Sequence, residues 1–208
     1  MLEEMIYFIL TACILDDSPI REREYITAYS SLYTWINLNS IEAKVIFVEN
    51  NGMRPTYLDD LGCDVFYTNN NSLPTKNKGR KELQDVLDCI QAYSIGDDEF
   101  VVKLTGRYII DKQSPFMEAL KTSPTADCII KYASYIDPFN LFSRRESCIS
   151  GLVGMRCRYI KMIELPTEEE CAEWKWAAVT WKIEEERLIQ LSRLGLCMNV
   201  ASKMNSFA

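Results

Sequence analysis

Apolar runs alternate with amphipathic helical patterns over the first two thirds of the chain. Ile6 to Ile14 is apolar almost throughout, which is typical of a strand buried on both faces, and a helical repeat follows at Tyr25, Tyr29, Leu32, Tyr33 and Ile36. A second strand is predicted from Lys44 to Gly52, and it ends in turn residues. A short helix, a third strand and a helix with one apolar stripe are predicted next, at Tyr57 to Leu61, Cys63 to Thr68 and Lys78 onward.

The run FVVKLTGRYII, Phe100 to Ile110, predicts a buried strand that enters a turn containing an arginine. Ser114 and Pro115 have the pattern of a helix start, with serine as the N-cap and proline at the first helical position. Further strands are predicted at Ala126 to Tyr132 and Ile149 to Met155.

The last third of the chain predicts one long helix. Thr167 and Glu170 have the spacing of a capping box. Residues at helical spacing then continue as far as Gly195, namely Cys171, Trp174, Ala178, Trp181, Leu188 and Leu191.

This order of elements predicts an α/β fold with three layers, α/β/α, around a mostly parallel central sheet, because parallel neighbours need crossover connections. The length of 208 residues favours a single domain. In such sheets, ligands bind at the carboxyl ends of the strands.

Composition narrows the classes of function. A net charge of −7 and a pI of about 4.8 argue against nucleic acid or an anionic membrane as a general partner, so any anionic ligand must meet a local cluster of cations. The chain has no histidine, which excludes imidazole-based hydrolases and histidine zinc sites. A general base must then be a carboxylate, lysine, tyrosine or cysteine, and the carboxylates are the first candidates.

The eight cysteines are scattered without a C-x-x-C pair, which favours free thiols in a reducing compartment. The first residues carry acid where a signal peptide would carry base, and their apolar run is too short to cross a bilayer. We therefore expect no membrane span and a cytoplasmic location.

The residues just past each predicted strand should form one rim rich in amides and hydroxyls, as in nucleotide pockets. These segments are Thr11 to Asp17, Glu49 to Asn51, Thr68 to Asn71, Thr105 to Arg107 and Tyr132 to Tyr135. Within this rim, Glu49 is placed to accept hydrogen bonds from a ribose or a base, beside Asn50, and Thr11 adds a hydroxyl. The alternative for Glu49 is a solvated acid in a turn.

Several basic residues lie near the same rim. Lys78 and Gly79 open a helix whose free N–H groups favour phosphate, so they are candidates for a diphosphate contact. Arg21, after the first strand, is a candidate to supplement them. The alternative is a basic cluster that only aids solubility.

Arg107 stands at the carboxyl end of the FVVKL strand, after Gly106, which permits a close backbone approach. A guanidinium grips phosphate oxygens with two donors, so Arg107 is predicted to hold a diphosphate, unless it pairs with an acid such as Asp111. The acidic run Asp97 to Glu99 looks like a metal site, but it precedes the strand and should lie nearly 20 Å (about 3.3 Å per residue) from the rim.

The run N-K-G-x11-Q-A-x9-V-K-L-T-G-R-Y, Asn77 to Tyr108, resembles the nucleotide-sugar half of GT-A-fold glycosyltransferases. The residues NKG and KLTGRY are similar to those of one branch of this family. That branch occurs in bacterial surface-polysaccharide enzymes and in large DNA viruses, chloroviruses among them, that glycosylate their own capsids. The resemblance covers roughly residues 4–135. It implies a nucleotide-sugar-binding half over residues 1–135 and an acceptor-side half over residues 136–208.

The resemblance implies a hexosyltransferase that moves a sugar from a nucleotide-diphosphate donor, most simply a UDP-sugar, to a glycan or glycoprotein acceptor. If the protein is viral, the acceptor would include a capsid protein and the location would be the host cytoplasm. The family holds Mn²⁺ or Mg²⁺ with an Asp-x-Asp pair. Thr105, Gly106 and Arg107 occupy the matching place here, so metal dependence stays open.

The resemblance also suggests where an inverting enzyme would carry its base. Glu173 lies near the start of a helix after the sheet, among Glu169 and Glu170, and Asp137 is a rival in the turn after a strand. A retaining mechanism would need no such base.

Two other classes stay open. A sugar nucleotidyltransferase would have the same fold, although such enzymes usually carry a glycine-rich phosphate loop after the first strand. An inert nucleotide-sugar-binding module would explain the missing acidic pair. The chain is also short for such an enzyme, which leaves open that it is one domain of a longer protein.

Overall fold

The computed structural model describes residues 5–15, 18–133, 145–200 and 203–207, apart from the side chains of residues 198–200 and 203–207. The strands are β1 Ile6–Ala12, β2 Ala43–Glu49, β3 Asp64–Tyr67, β4 Phe100–Thr105, β5 Tyr108–Ile110, β6 Cys128–Ile130, β7 Leu152–Arg156, β8 Leu188–Gln190, β9 Leu196–Val200 and β10 Lys203–Phe207. The α-helices are α1 Pro19–Leu38, α2 Lys78–Ala92, α3 Pro115–Thr122, α4 Cys157–Ile160 and α5 Ala172–Val179.

Seven strands form the central sheet, in the order β3-β2-β1-β4-β7-β6-β8. The first four are parallel to one another, and β8 is parallel to β6, whereas β7 runs antiparallel to both of its neighbours. The sheet is therefore mostly parallel, as predicted. Its parallel half aligns the carboxyl ends of β1, β2 and β4, since Thr11 pairs with both Val48 and Thr105.

Helices cover both faces of this sheet. Phe8 and Ile9 are neighbours in β1, both are fully buried, and they belong to cores on opposite faces. One core contains the apolar residues of α2, α4 and α5, and the other contains those of α1 and α3. The fold is thus a three-layer α/β/α arrangement, and the unbroken apolar runs reflect burial on both sides.

A smaller antiparallel sheet, β10-β9-β5, lies beside the rim. Its strand β5 follows Arg107 directly and pairs with β9, where Tyr108 lies opposite Met198. The short turn between β4 and β5 therefore carries Arg107 between the two sheets.

The predicted start of α3 and the predicted free thiols are confirmed. Ser114 caps α3 by accepting a hydrogen bond from the Met117 N–H, and Pro115 is the first helical residue. All eight cysteines are free thiols. Within the ranges that the structure describes, no helix has the length and apolar character needed to cross a membrane.

The long C-terminal helix predicted from Thr167 to Gly195 is wrong. The Thr167 N–H does bond to the Glu170 carboxylate, at 2.8 Å, but α5 begins only at Ala172 and ends at Val179. Two short 3₁₀ turns and strand β8 follow, because Leu188–Gln190 gains a parallel ladder with β6. The tryptophans that suggested a buried helical stripe are exposed, by 47% for Trp174 and 68% for Trp181.

Candidate active site

A cavity of about 420 Å³, which we call the rim cavity, opens at the carboxyl ends of β1 and β4. It gathers most of the residues predicted from the sequence, namely Thr11, Arg21, Asn50, Lys78, Gly79, Thr105, Arg107 and Glu173. The rule that ligands meet parallel sheets at this edge is thus matched by an actual concavity.

Four cationic side chains line the rim cavity, from three different parts of the chain: Arg21, Lys78, Lys81 and Arg107. Within the described ranges, the first three form no ion pair, and Lys81 donates only to the Asn71 carbonyl, at 2.5 Å. Arg80 points elsewhere and donates to the carbonyl of Pro166. The carboxylates of Glu82, Asp85 and Glu173 line the same cavity, and Glu82 pairs with Lys103. The four cations are therefore a local cluster beside three acids, in a chain whose net charge is −7.

Arg107 is held from one side by α1. Its Nη1 lies 3.3 Å from the Glu24 Oε2, and Glu24 is only 8% exposed. Asp111, the partner considered from the sequence, instead accepts a bond from the backbone N–H of Gln113. The Arg107 side chain remains 31% exposed, which leaves donors available on the cavity side.

Contacts within the protein require a glycine at position 106. Its N–H donates to the Thr11 carbonyl at 2.9 Å, and a Cβ at this position would lie 2.8 Å from the same oxygen and 3.0 Å from the Tyr25 ring. The close approach predicted at Gly106 therefore brings the Arg107 turn against the end of β1.

Glu82 lies on α2 and lines the cavity, although it was not predicted from the sequence as a site residue. It accepts a hydrogen bond from the Thr11 hydroxyl at 2.6 Å and pairs with Lys103 at 2.9 Å. Burial alone would raise the pKa of Glu82, but the Lys103 charge and the hydroxyl donors lower it below its ordinary value. Glu82 is thus ionised and neutralises a lysine that is only 1% exposed.

Asp85 lies one helical turn further along α2 and is fully buried. It accepts bonds from the Thr68 hydroxyl and from the side-chain amides of Asn50 and Asn70, at 2.7 to 2.8 Å. Burial raises the pKa of Asp85 to about 6, although these three donors pull it down. Asp85 fixes the amide of Asn50, a predicted donor-binding residue, at the cavity wall.

The ribose or base contact predicted for Glu49 does not fit the structure. Glu49 is fully buried, and its carboxylate accepts bonds from the backbone N–H groups of Ile14 and Asn51 and from Arg54. Burial raises its pKa. Glu49 therefore stabilises the loops after β1 and β2 and is closed to a ligand.

Glu173 lies on the first turn of α5, where its Oε1 accepts a hydrogen bond from the Ser150 hydroxyl at 2.9 Å. It lines the rim cavity and also a neighbouring one of about 410 Å³, which we call the second cavity. This carboxylate thus stands between two concavities. Asp137, the rival base, lies outside the described residues.

The acidic run Asp97 to Glu99 lies at the amino end of β4, as predicted, and does not line the rim cavity. Asp97 pairs with Lys161 at 2.6 Å and Asp98 with Arg158 at 2.5 Å. These carboxylates lie at the opposite end of the sheet from the rim cavity.

The described residues do not fit a divalent metal ion. Mg²⁺ and Mn²⁺ prefer several clustered oxygen ligands, and in the described ranges no group of three acidic, cysteine or histidine side chains is arranged to hold a metal ion. The rim carboxylates are engaged: Glu82 with Lys103, and Asp85 with amide and hydroxyl donors.

Comparison with known proteins supports the fold. No protein-family model and no curated protein matches the sequence. Among solved structures, the mannosyltransferase PcManGT from Pyrobaculum calidifontis, in complex with GDP-Man and Mn²⁺, is similar with a TM-score of 0.56 and 12% identity. The match covers 89% of this chain and 54% of that one, so the chain spans about half of that enzyme's length.

Two further matches are weaker. A glycosyltransferase involved in the glycosylation of the major capsid of PBCV-1 gives a TM-score of 0.46 at 9% identity, over 89% of this chain and 81% of that one. The catalytic domain of Drosophila beta1,4galactosyltransferase 7 gives 0.48 at 5%, over 92% and 66%. The mannosyltransferase match has a TM-score above 0.5 and shows the fold alone: the chain has a GT-A-like α/β architecture.

Proposed function

We propose that the chain is a glycosyltransferase that binds a nucleotide-diphosphate sugar in the rim cavity. The observation that supports this most strongly is the convergence of Arg21, Lys78, Lys81 and Arg107 at the carboxyl ends of the strands of an acidic protein. Guanidinium and ammonium groups bind phosphate oxygens through charge-assisted hydrogen bonds, so a diphosphate is a ligand that suits this cluster. A UDP-sugar remains the donor predicted first, and a glycan or glycoprotein the acceptor.

In this proposal, cations of the chain stabilise the leaving group. The bond between the anomeric carbon and the phosphate oxygen breaks, and negative charge grows on the departing nucleoside diphosphate. Arg107 and Lys81 line the rim cavity, and we expect them to stabilise that charge, the role that a divalent metal fills in other active sites. Any Mn²⁺ or Mg²⁺ would have to take most of its ligands from the donor phosphates and water, because no group of three suitable side chains occurs in the described ranges.

Glu173 is the proposed general base of an inverting reaction. As the acceptor hydroxyl oxygen bonds to the anomeric carbon, the proton of that hydroxyl passes to the Glu173 carboxylate. The Ser150 hydroxyl orients this carboxylate by a hydrogen bond. The position of Glu173 between the two cavities supports this role. The capsid-glycosylating branch, the hexosyltransferase type and the cytoplasmic location stay predictions.

The test is to incubate the protein with a panel of nucleotide sugars, with and without Mn²⁺, and to measure nucleoside diphosphate release. We expect slow hydrolysis of one donor. Arg107→Ala should lower kcat/KM by about 100-fold, as loss of one charge-stabilising donor does elsewhere. Arg23→Ala, at an exposed position of α1, is the matched control and should retain the rate.

Three results would contradict the proposal. Binding without turnover would indicate an inert module. Release of pyrophosphate from a nucleoside triphosphate and a sugar phosphate would indicate a nucleotidyltransferase. Normal turnover by Arg107→Ala would remove Arg107 from the site.

A further inference from the structure

The second cavity has the size of a small-molecule site but no assigned ligand. Its volume of about 410 Å³ falls within the range of roughly 300–1,000 Å³ that is usual for such sites. It shares Glu173 with the rim cavity, so a molecule bound there would present its groups to the proposed base.

The walls of the second cavity are of two kinds. Tyr108, Ile149, Leu194 and Leu196 form an apolar part, while polar groups come from Lys131, Ser150 and Glu173. A pyranose has the same division, with an apolar C–H face and a rim of hydroxyls. A phosphorylated ligand fits less well, because the charged lining groups are one lysine and one carboxylate.

The position of the Tyr108 ring depends on Gly151. A Cβ at Gly151 would overlap the ring, so only glycine lets Tyr108 lie against the strand end that it borders. Tyr108 is half-buried and lines the second cavity, and its hydroxyl is near enough to Arg107 and Glu173 to interact with their charges. Burial also raises the pKa of Tyr108, so its hydroxyl stays protonated and able to donate.

We propose that the second cavity binds the acceptor, and that this acceptor is a pyranose ring packed against Tyr108 with one hydroxyl directed at Glu173, rather than a serine or threonine of a polypeptide. This inference rests on the proposed function. It narrows the acceptor class from glycan or glycoprotein to a sugar hydroxyl, since aromatic faces favour the polarised C–H groups of a sugar.

The test measures transfer from the hydrolysed donor to a panel of methyl pyranosides and to serine- and threonine-containing peptides. Transfer is expressed as a ratio to donor hydrolysis by the same protein. The wild type should use a pyranoside. Tyr108→Ala and Gly151→Ala should each raise the acceptor KM about tenfold and lower this ratio, whereas Tyr108→Phe should stay within about threefold because it keeps the ring.

Gly151→Ala keeps the tyrosine and adds one methyl group, so it tests the position of the Tyr108 ring even if Tyr108→Ala fails to fold. Tyr33→Ala, at a half-exposed tyrosine of α1, is the matched control. Glycosylation of peptides but of no pyranoside, or unchanged acceptor KM in both Tyr108→Ala and Gly151→Ala, would overturn the inference alone. Absence of any hydrolysis or transfer by the wild type would overturn the proposed function and this inference with it.

Discussion

Two carboxylates of α2, Glu82 and Asp85, hold the rim of the sheet together. They lie one helical turn apart and accept hydrogen bonds from residues at the ends of four strands: Thr11, Thr105, Asn50 and Thr68. The two environments differ, because Glu82 faces a lysine and Asp85 faces only neutral donors. Their pKa values are therefore displaced in opposite directions.

Asp85 should make the protein less stable as the pH rises through about 6. Its pKa is raised from 3.8 when unfolded to about 6 when folded, so the folded state binds the proton more tightly. The stability that this proton supplies is complete below pH 4 and lost above pH 6. The free energy of unfolding of the wild type minus that of Asp85→Asn should fall between pH 4 and 7, by at most about 3 kcal/mol.

Urea denaturation of both proteins at each pH measures this difference. A difference that stays constant, or that grows as the pH rises, would show that Asp85 is not held near pKa 6.

Glu82 and Lys103 should behave as a coupled pair. Glu82→Gln leaves a lysine that is 1% exposed without its counter-charge, which should cost about 3 kcal/mol in the free energy of unfolding. Adding Lys103→Met should recover most of this loss, because the double variant buries no charge. A double-mutant cycle by urea denaturation gives the coupling energy. Additive losses from the two changes would contradict the pairing.

At the scale of elements, the start of α2 fixes the start of α5. The Asn77 side chain accepts from the Arg80 N–H and donates to the carbonyls of Thr167 and Glu170. Gly79 lies against the start of α5, where a Cβ would lie 2.6 Å from the Ala172 Cβ. Since Glu173 directly follows Ala172, the contact between Gly79 and Ala172 sets the position of the proposed base.

Gly79→Ala should therefore destabilise the protein, even though alanine favours a helix by about 1 kcal/mol. The added methyl group meets Ala172, and overpacking of this kind costs about 1–3 kcal/mol. Ala172→Gly in the same chain should restore stability because it removes the colliding group. Thermal unfolding of the single and double variants tests this. A Gly79→Ala protein at least as stable as the wild type would contradict the close contact.

The alternating part of the fold could be predicted from sequence, and the last third could not. An unbroken apolar run as short as Ile6 to Ile14, followed by a helical pattern, is typical of a strand that is buried on both faces. Leu188 and Leu191 fit a helical repeat equally well, and only the ladder between β8 and β6, a contact between distant segments, decides for a strand. The antiparallel direction of β7 is likewise set by tertiary packing.

The candidate site was predictable where position along a strand decides it. Arg107 and Lys78 follow from counting to strand and helix ends. Glu82 was missed because α2 was analysed for its apolar stripe alone, although acids three residues apart beside that stripe, and a lysine within the FVVKL strand, were the available signal. The burial of Glu49 could not be predicted because one of its backbone donors, Ile14, comes from the loop after β1.

At the scale of the whole molecule, charge is distributed unevenly. The chain carries a net charge of −7, yet four cations line one cavity at the carboxyl edge of the sheet. Such a cluster should draw an anion by a force that salt screens, with a Debye length of about 10 Å at 0.1 M. Binding of a nucleoside diphosphate should therefore weaken as ionic strength rises.

The most direct measurement is a calorimetric titration of UDP, GDP and other nucleoside diphosphates into the wild type and Arg107→Ala, in EDTA, at low and high salt. We predict one site per chain for one of these nucleotides, with an affinity that falls as salt is added and falls about tenfold or more in the variant. Heats that show no nucleotide binding, or the same salt-independent affinity in both proteins, would contradict the claim that the rim cavity is a cationic diphosphate site.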